Sequence, residues 1–168
     1  MGTDKSRLRL GARTMLGQIR AEAKRTGLPV RVIRRDLVPR CGPLGGIYTA
    51  LKTTRAEAVL FLPCDMPFIG LEMLETMSDR AAEIKKPMFT KSSGMAGFPF
   101  VLPKSALKTV FAQIEKGQLS LQNLAKLFNA QIVNPPPHWR VQLQNVNTPA
   151  DWKRALSLCK KSVPKTRF

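Results

Sequence analysis

Ala58-Val59-Leu60-Phe61-Leu62-Pro63-Cys64-Asp65-Met66-Pro67 opens with five apolar residues and runs into a proline-bounded loop holding one carboxylate. A continuous apolar run of this length, bounded by polar residues, predicts a strand covered on both faces, as in α/β layer structures. Asp65 follows the carboxyl end of that strand, where open α/β sheets receive their ligands. The same residue also suits an Asx-type turn, so its position alone leaves both readings open.

Outward from this strand, helices and strands alternate. Upstream, Thr14 to Thr26 places Met15, Leu16, Ile19 and Ala23 on one side at helical spacing, and Gly27 with Pro29 stops the helix. Val30-Arg31-Val32-Ile33 reads as a strand, and Gly42-Pro43-Leu44-Gly45-Gly46 as a turn feeding a helix that buries Ile47, Ala50 and Leu51. Downstream, Leu71, Leu74, Met77, Ala81 and Ile84 mark a helix. Pro87–Thr90 and Phe98–Leu102 read as two strands about the turn Lys91-Ser92-Ser93-Gly94, able to pair as a hairpin. Pro103 suits the first turn of a helix carrying Leu107, Val110, Phe111 and Ile114 and ending at Gly117, and Ser120 caps another through Phe128. Ala130–Val133 and Val141–Val146 read as strands around the proline loop. Thr148-Pro149-Ala150-Asp151 is a capped helix start. The order predicts one α/β domain over residues 1–159 with a mixed sheet, followed by a basic tail over 160–168.

Composition narrows the function classes. The chain has 168 residues, 43% of them apolar, enough for one domain with a sizeable core. No apolar run approaches the roughly 20 residues of a membrane span, and residues 1–5 lack a signal peptide's apolar stretch. Cys41, Cys64 and Cys159 form no CxxC pair and have no companion histidine cluster, which predicts reduced thiols in the cytoplasm and no zinc site. The single histidine, His138, sits beside Pro135-Pro136-Pro137 and reads as a loop residue. The formal charge is +17. Residues 1–40 carry 11 basic and 3 acidic side chains, 41–100 carry 6 and 6, and 101–168 carry 11 and 2, so two basic ends flank a neutral middle. Such a field favours anionic partners, phosphates of a small molecule or of nucleic acid.

Four segments taken in order carry a resemblance: Met1-Gly2-Thr3-Asp4-Lys5, Gly42 to Gly46, Leu62-Pro63-Cys64-Asp65-Met66-Pro67-Phe68, and Asn145-Val146-Asn147-Thr148-Pro149. Together with Gly117-Gln118-Leu119-Ser120-Leu121, they resemble the molybdenum cofactor guanylyltransferases, nucleotidyltransferases with a Rossmann-like, three-layer α/β fold and a mostly parallel, mixed central sheet. The likeness runs from residue 1 to about residue 158.

The resemblance implies transfer of GMP from GTP to the molybdopterin cofactor with release of pyrophosphate. It implies roles residue by residue: Lys5 contacts the triphosphate, Asp36 and Gly45 contact the nucleotide, and Asp65 holds Mg²⁺. Asn145 and Asn147 match residues on the pterin side. Lys5 and Asp65 then form the catalytic pair. The implied partners are GTP and molybdopterin, then cofactor-inserting proteins or molybdoenzymes as recipients, with neither a membrane nor nucleic acid among them. Family members place a strand and a Leu-Ala-Gly-Gly-x-Ser-x-Arg loop before the Met-Gly pair, which implies that Met1 is internal to a longer reading frame. Two alternatives stand beside this reading: a cytidylyltransferase of the same fold and a basic nucleic-acid-binding module.

Overall fold

The computed structural model describes residues 8–92 and 94–161. Its centre is a four-stranded sheet of β3 (Ala58–Phe61), β4 (Met88–Ser92), β5 (Met95–Pro103) and β6 (Gln131–Val133), in the order β3-β5-β4-β6. β5 runs antiparallel to both neighbours and β6 runs parallel to β4, so three of the four strands share one direction.

Side chains alternate across this sheet with the period of two that a pleated strand imposes. Val59 and Phe61, Phe89, Phe100 and Leu102 face one core, shared with Leu44, Ile47 and Leu51 of α2 (Gly42–Thr53), Val110 of α4 (Leu107–Glu115) and Leu124 of α5 (Leu121–Leu127). Leu60, Met88 and Val101 face a second core, built with Ala23 of α1 (Met15–Arg25) and Met73, Leu74 and Met77 of α3 (Leu71–Ile84). The three layers are therefore helices, sheet, helices. Phe61 and Phe89 each stack on Phe100, with ring centroids 4.9 and 4.7 Å apart, which fixes the register of three strands by cross-strand aromatic pairs.

A third, smaller core joins the β1–β2 hairpin (Arg9–Leu10 and Arg13–Thr14) to α6 (Pro149–Lys161) through Leu10, Met15, Val146 and Ala155. The sequence pattern did not suggest that hairpin. α6 also continues through Lys161, two residues into the stretch read as a tail.

Several other expectations need correction. Val30–Ile33 has no ladder partner among the described residues, and a strand's N–H and C=O groups need a neighbour. Val141–Val146 forms turns, with the Leu143 N–H on the Trp139 carbonyl 3.1 Å away and Val141 43% exposed. Gly42 begins α2 itself, with Pro43 in its first turn, so the glycine-rich stretch is helical. β3 has side chains in both cores, yet Val59 and Leu60 stay half-buried because β3 is an edge strand among the described residues. The hairpin is longer than expected, β5 reaching back to Met95; its register shifts between Phe89 and Thr90, opposite Pro99, whose missing N–H suits a bulge. Pro103 closes β5 ahead of a 3-10 turn at Lys104–Ala106, and Phe111 is 38% exposed, its ring against Tyr48.

Among the described residues no helix is long and apolar enough to cross a membrane.

Candidate functional site

α2 and β3 are joined by four residues, 54–57, and pack in the same core, so they run in opposite directions. The N-terminus of α2 and the carboxyl end of β3 therefore open toward the same edge of the sheet, and the sequence-predicted residues gather there in two groups.

The first group surrounds the start of α2. A Cβ placed on Gly45 would stand 2.7 Å from Asp36 Oδ2 and 2.9 Å from the Val38 carbonyl oxygen, and one on Gly46 3.6 Å from Asp36 Oδ1. The Asp36 carboxylate thus lies directly over the two glycines. Among the described residues no hydrogen bond or ion pair engages it, and Asp36 lines an open depression with Arg35 and Arg40. Thr49 holds this arrangement. Its hydroxyl, 4% exposed, donates to the Gly45 carbonyl at 2.8 Å and accepts the Leu37 N–H at 2.9 Å, tying the residue after Asp36 to the helix. A threonine two turns inside an apolar helix gives no sign of this in the sequence.

The second group surrounds Asp65, half-buried in the loop after β3. Met66 and Ile69 anchor this loop in the second core at 4% and 1% exposure. The Asp65 carbonyl accepts the Val146 N–H at 2.8 Å, which sets exposed Asn145 and Asn147 on either side of a residue bonded to Asp65. Asn145 lines a small cleft with Phe68, Asp151 and Arg154. Asn147 is bound into the start of α6: its N–H and that of Thr148 both donate to Asp151 Oδ2, at 3.2 and 2.9 Å, while the Asp151 N–H donates to Thr148 Oγ at 3.1 Å. This is the predicted capping arrangement, with aspartate in the reciprocal position.

Lys5 lies outside the described residues. Leu8 and Leu10 pack in the core that contains Val146 and Phe68. Among the described residues no three of His, Cys, Asp and Glu come together, so no all-protein metal cage is present. His138 is an exposed residue of a 3-10 turn, its Nε2 3.0 Å from Glu72 Oε1, in keeping with a loop histidine.

A half-buried carboxylate at a strand's carboxyl end, a second one over a glycine-rich helix start, and an asparagine-bearing loop bonded to the first lie where α/β folds receive their ligands. Residues 1–133 match the MobA-like NTP transferase domain, and the chain belongs to that family. It is similar to the probable molybdenum cofactor guanylyltransferase of Flavobacterium johnsoniae, 34% identical over 114 residues covering 67% of this chain and 60% of that protein. The chain thus spans less than two thirds of that relative. Its fold matches molybdopterin-guanine dinucleotide biosynthesis protein A of Archaeoglobus fulgidus with a TM-score of 0.74 at 20% identity, over 95% of this chain and 92% of the other. A Mycobacterium tuberculosis protein solved in complex with manganese also shares the fold, with a TM-score of 0.58 at 17% identity over 93% of each chain.

Proposed function

We propose that this chain forms the nucleotidyl-transfer site of an enzyme that moves GMP from GTP to the molybdopterin cofactor and releases pyrophosphate. The observation that carries the reading is the bond from the Val146 N–H to the Asp65 carbonyl, which sets a carboxylate suited to a metal beside the loop assigned to the acceptor. The names of the relatives and the family membership support the same chemistry.

In the proposed reaction the terminal phosphate of molybdopterin, already ionised at neutral pH, attacks the α-phosphorus of GTP. A new P–O bond forms, the α–β bridging P–O bond breaks, and its electron pair leaves with pyrophosphate. No general base is needed, consistent with a chain whose one histidine is at the surface with Glu72. The work left to the protein is positioning and charge neutralisation.

Asp65 fits a divalent cation. Mg²⁺ commonly takes one or two carboxylates and completes its shell with water and substrate phosphates, so a single aspartate without a cage is sufficient. When bound, the cation would offset charge developing at the phosphates. Asp36 presents acceptor oxygens only, complementary to the N–H donors of guanine, and Gly45 leaves room for it. Lys5 would contact the triphosphate, and Asn145 and Asn147 the acceptor.

The test is Asp65→Asn in the whole protein, assayed for guanylyl transfer with Mg²⁺ and with Mn²⁺. A loss of about 10²-fold or more with the thermal transition unchanged is expected, since losing one electrostatic group at a reacting centre costs that much. Unchanged turnover at saturating metal would refute the role.

A further inference from the structure

Residues 65–72 and 138–146 lie side by side in opposite directions without forming a ladder. Asp65 is paired with Val146, Gly70 with Gln142, and Glu72 with His138 and Trp139. The contacts are the Val146 N–H on the Asp65 carbonyl at 2.8 Å, the Gly70 N–H on Gln142 Oε1 at 2.8 Å, His138 Nε2 3.0 Å from Glu72 Oε1, and the Trp139 indole N–H 3.4 Å from the same oxygen.

The two strips are held unequally. The first is seated in the core by Met66 and Ile69. The second is buried at Trp139 and Val146, 3% and 2% exposed, with Leu143 half-buried against the same core, while residues 140–145 have no strand partner. Gln142 is the side chain in that interval whose bond reaches the first strip. Its target is built for close approach: a Cβ on Gly70 would meet Gln142 Oε1 at 3.2 Å, and no side chain caps α3 at Gly70.

We propose that Gln142 is a positioning residue that holds the Asn145–Asn147 loop in register with Asp65, and so sets the acceptor against the nucleotide. The inference rests on the functional reading above and deepens it. Gln142 touches neither substrate; it acts through the loop. Its loss therefore affects the acceptor side and leaves the Asp36–Gly45 side, which Thr49 holds independently, unaltered.

The experiment compares Gln142→Met, close in shape but lacking the acceptor oxygen, with Gln142→Glu, which retains one. Two measurements are made on the full protein: backbone amide exchange at Val146, and KM for molybdopterin and for GTP separately. In Gln142→Met the Val146 amide should exchange about tenfold faster and KM for molybdopterin should rise about tenfold, the worth of one hydrogen bond, with KM for GTP unchanged. Gln142→Glu should restore both. The inference is overturned if Val146 exchange is unchanged in Gln142→Met or is not restored in Gln142→Glu. It is likewise overturned if both KM values rise together, as a merely structural lesion would cause. Should the wild-type protein transfer no GMP, the functional reading falls, and Val146 exchange alone decides whether Gln142 positions the loop.

Discussion

The start of α2 and the Asp65 loop open at one edge of the sheet but are held in different ways. Around α2 the fastening is local: Thr49 bonds Gly45 four residues back and Leu37 twelve residues back. Around Asp65 it is remote: Gln142 reaches across 72 residues to Gly70, and Trp139 across 67 to Glu72. Locally fastened structure needs only one helix to form. A remotely fastened loop exists only once α3, the proline loop and α6 have all docked, so it is the half more exposed to distant substitutions and to opening without global unfolding.

The most damaging way to break that contrast is Trp139→Ala. Trp139 is 3% exposed among Met66, Ile69 and Met73, and emptying such a site costs about 3–5 kcal/mol. The thermal transition should fall sharply, and amide protection at Val146 should be lost well before that at Leu37. Equal loss of protection at the two amides would show that the halves do not differ.

Gly45→Ala strikes the local half. The new methyl would sit 2.7 Å from Asp36 Oδ2, which can swing away, and 2.9 Å from the Val38 carbonyl, which is backbone and must shift. Overpacking of this kind costs about 1–3 kcal/mol, only partly offset by the ~1 kcal/mol gained on replacing a helical glycine. Stability should therefore drop modestly. GTP affinity should fall about tenfold as Asp36 is displaced, with molybdopterin KM unchanged. Titrating each ligand separately checks this.

Smaller still is Thr49→Val, isosteric but without the hydroxyl. It removes the acceptor of the Leu37 N–H and should cost about 1 kcal/mol, measured by denaturant unfolding, with a matching rise in Leu37 exchange and none at Val146.

The same contrast explains what the sequence could reveal. Two helix starts were legible because each is a local chemical device: Ser120 accepting from the Gln122 N–H, and the Thr148–Asp151 pair. The strands at β3, β4, β5 and β6 were legible from apolar runs, and Asp65 from its place after one of them. Val30–Ile33 and Val141–Val146 carry the same β-branched signal, yet a strand depends on a neighbour that composition does not encode. Gln142 and Thr49 were invisible for a related reason. Glutamine in a turn and threonine in a helix acquire roles only from partners that folding brings to them. Lys5 lies outside the described residues, so its place at the site stays within the proposal.

The smallest expected effect is electrostatic and lies on the remote side. The Asp151 carboxyl is held below the ordinary aspartate range, chiefly by the Thr148 hydroxyl and then by the Thr148 and Asn147 N–H groups. Glu72 is likewise held low, chiefly by its hydrogen bond to His138. A carboxyl group depressed in the folded state adds stability that is present above its unfolded value, near pH 4, and is lost as the pH falls through the lower folded value. Both groups are solvated, so the contribution is slight, but it acts on the two ends of the strip that carries Asn145 and Asn147. The combined Asp151→Asn and Glu72→Gln variant should show a shallower fall in Tm than the wild type as the pH drops below about 4, because neither replacement can take up the proton. Identical slopes would mean that these two carboxylates do not favour the folded state. A shallower slope from Asp151→Asn alone, with none from Glu72→Gln, would place the acid-sensitive fastening at the start of α6.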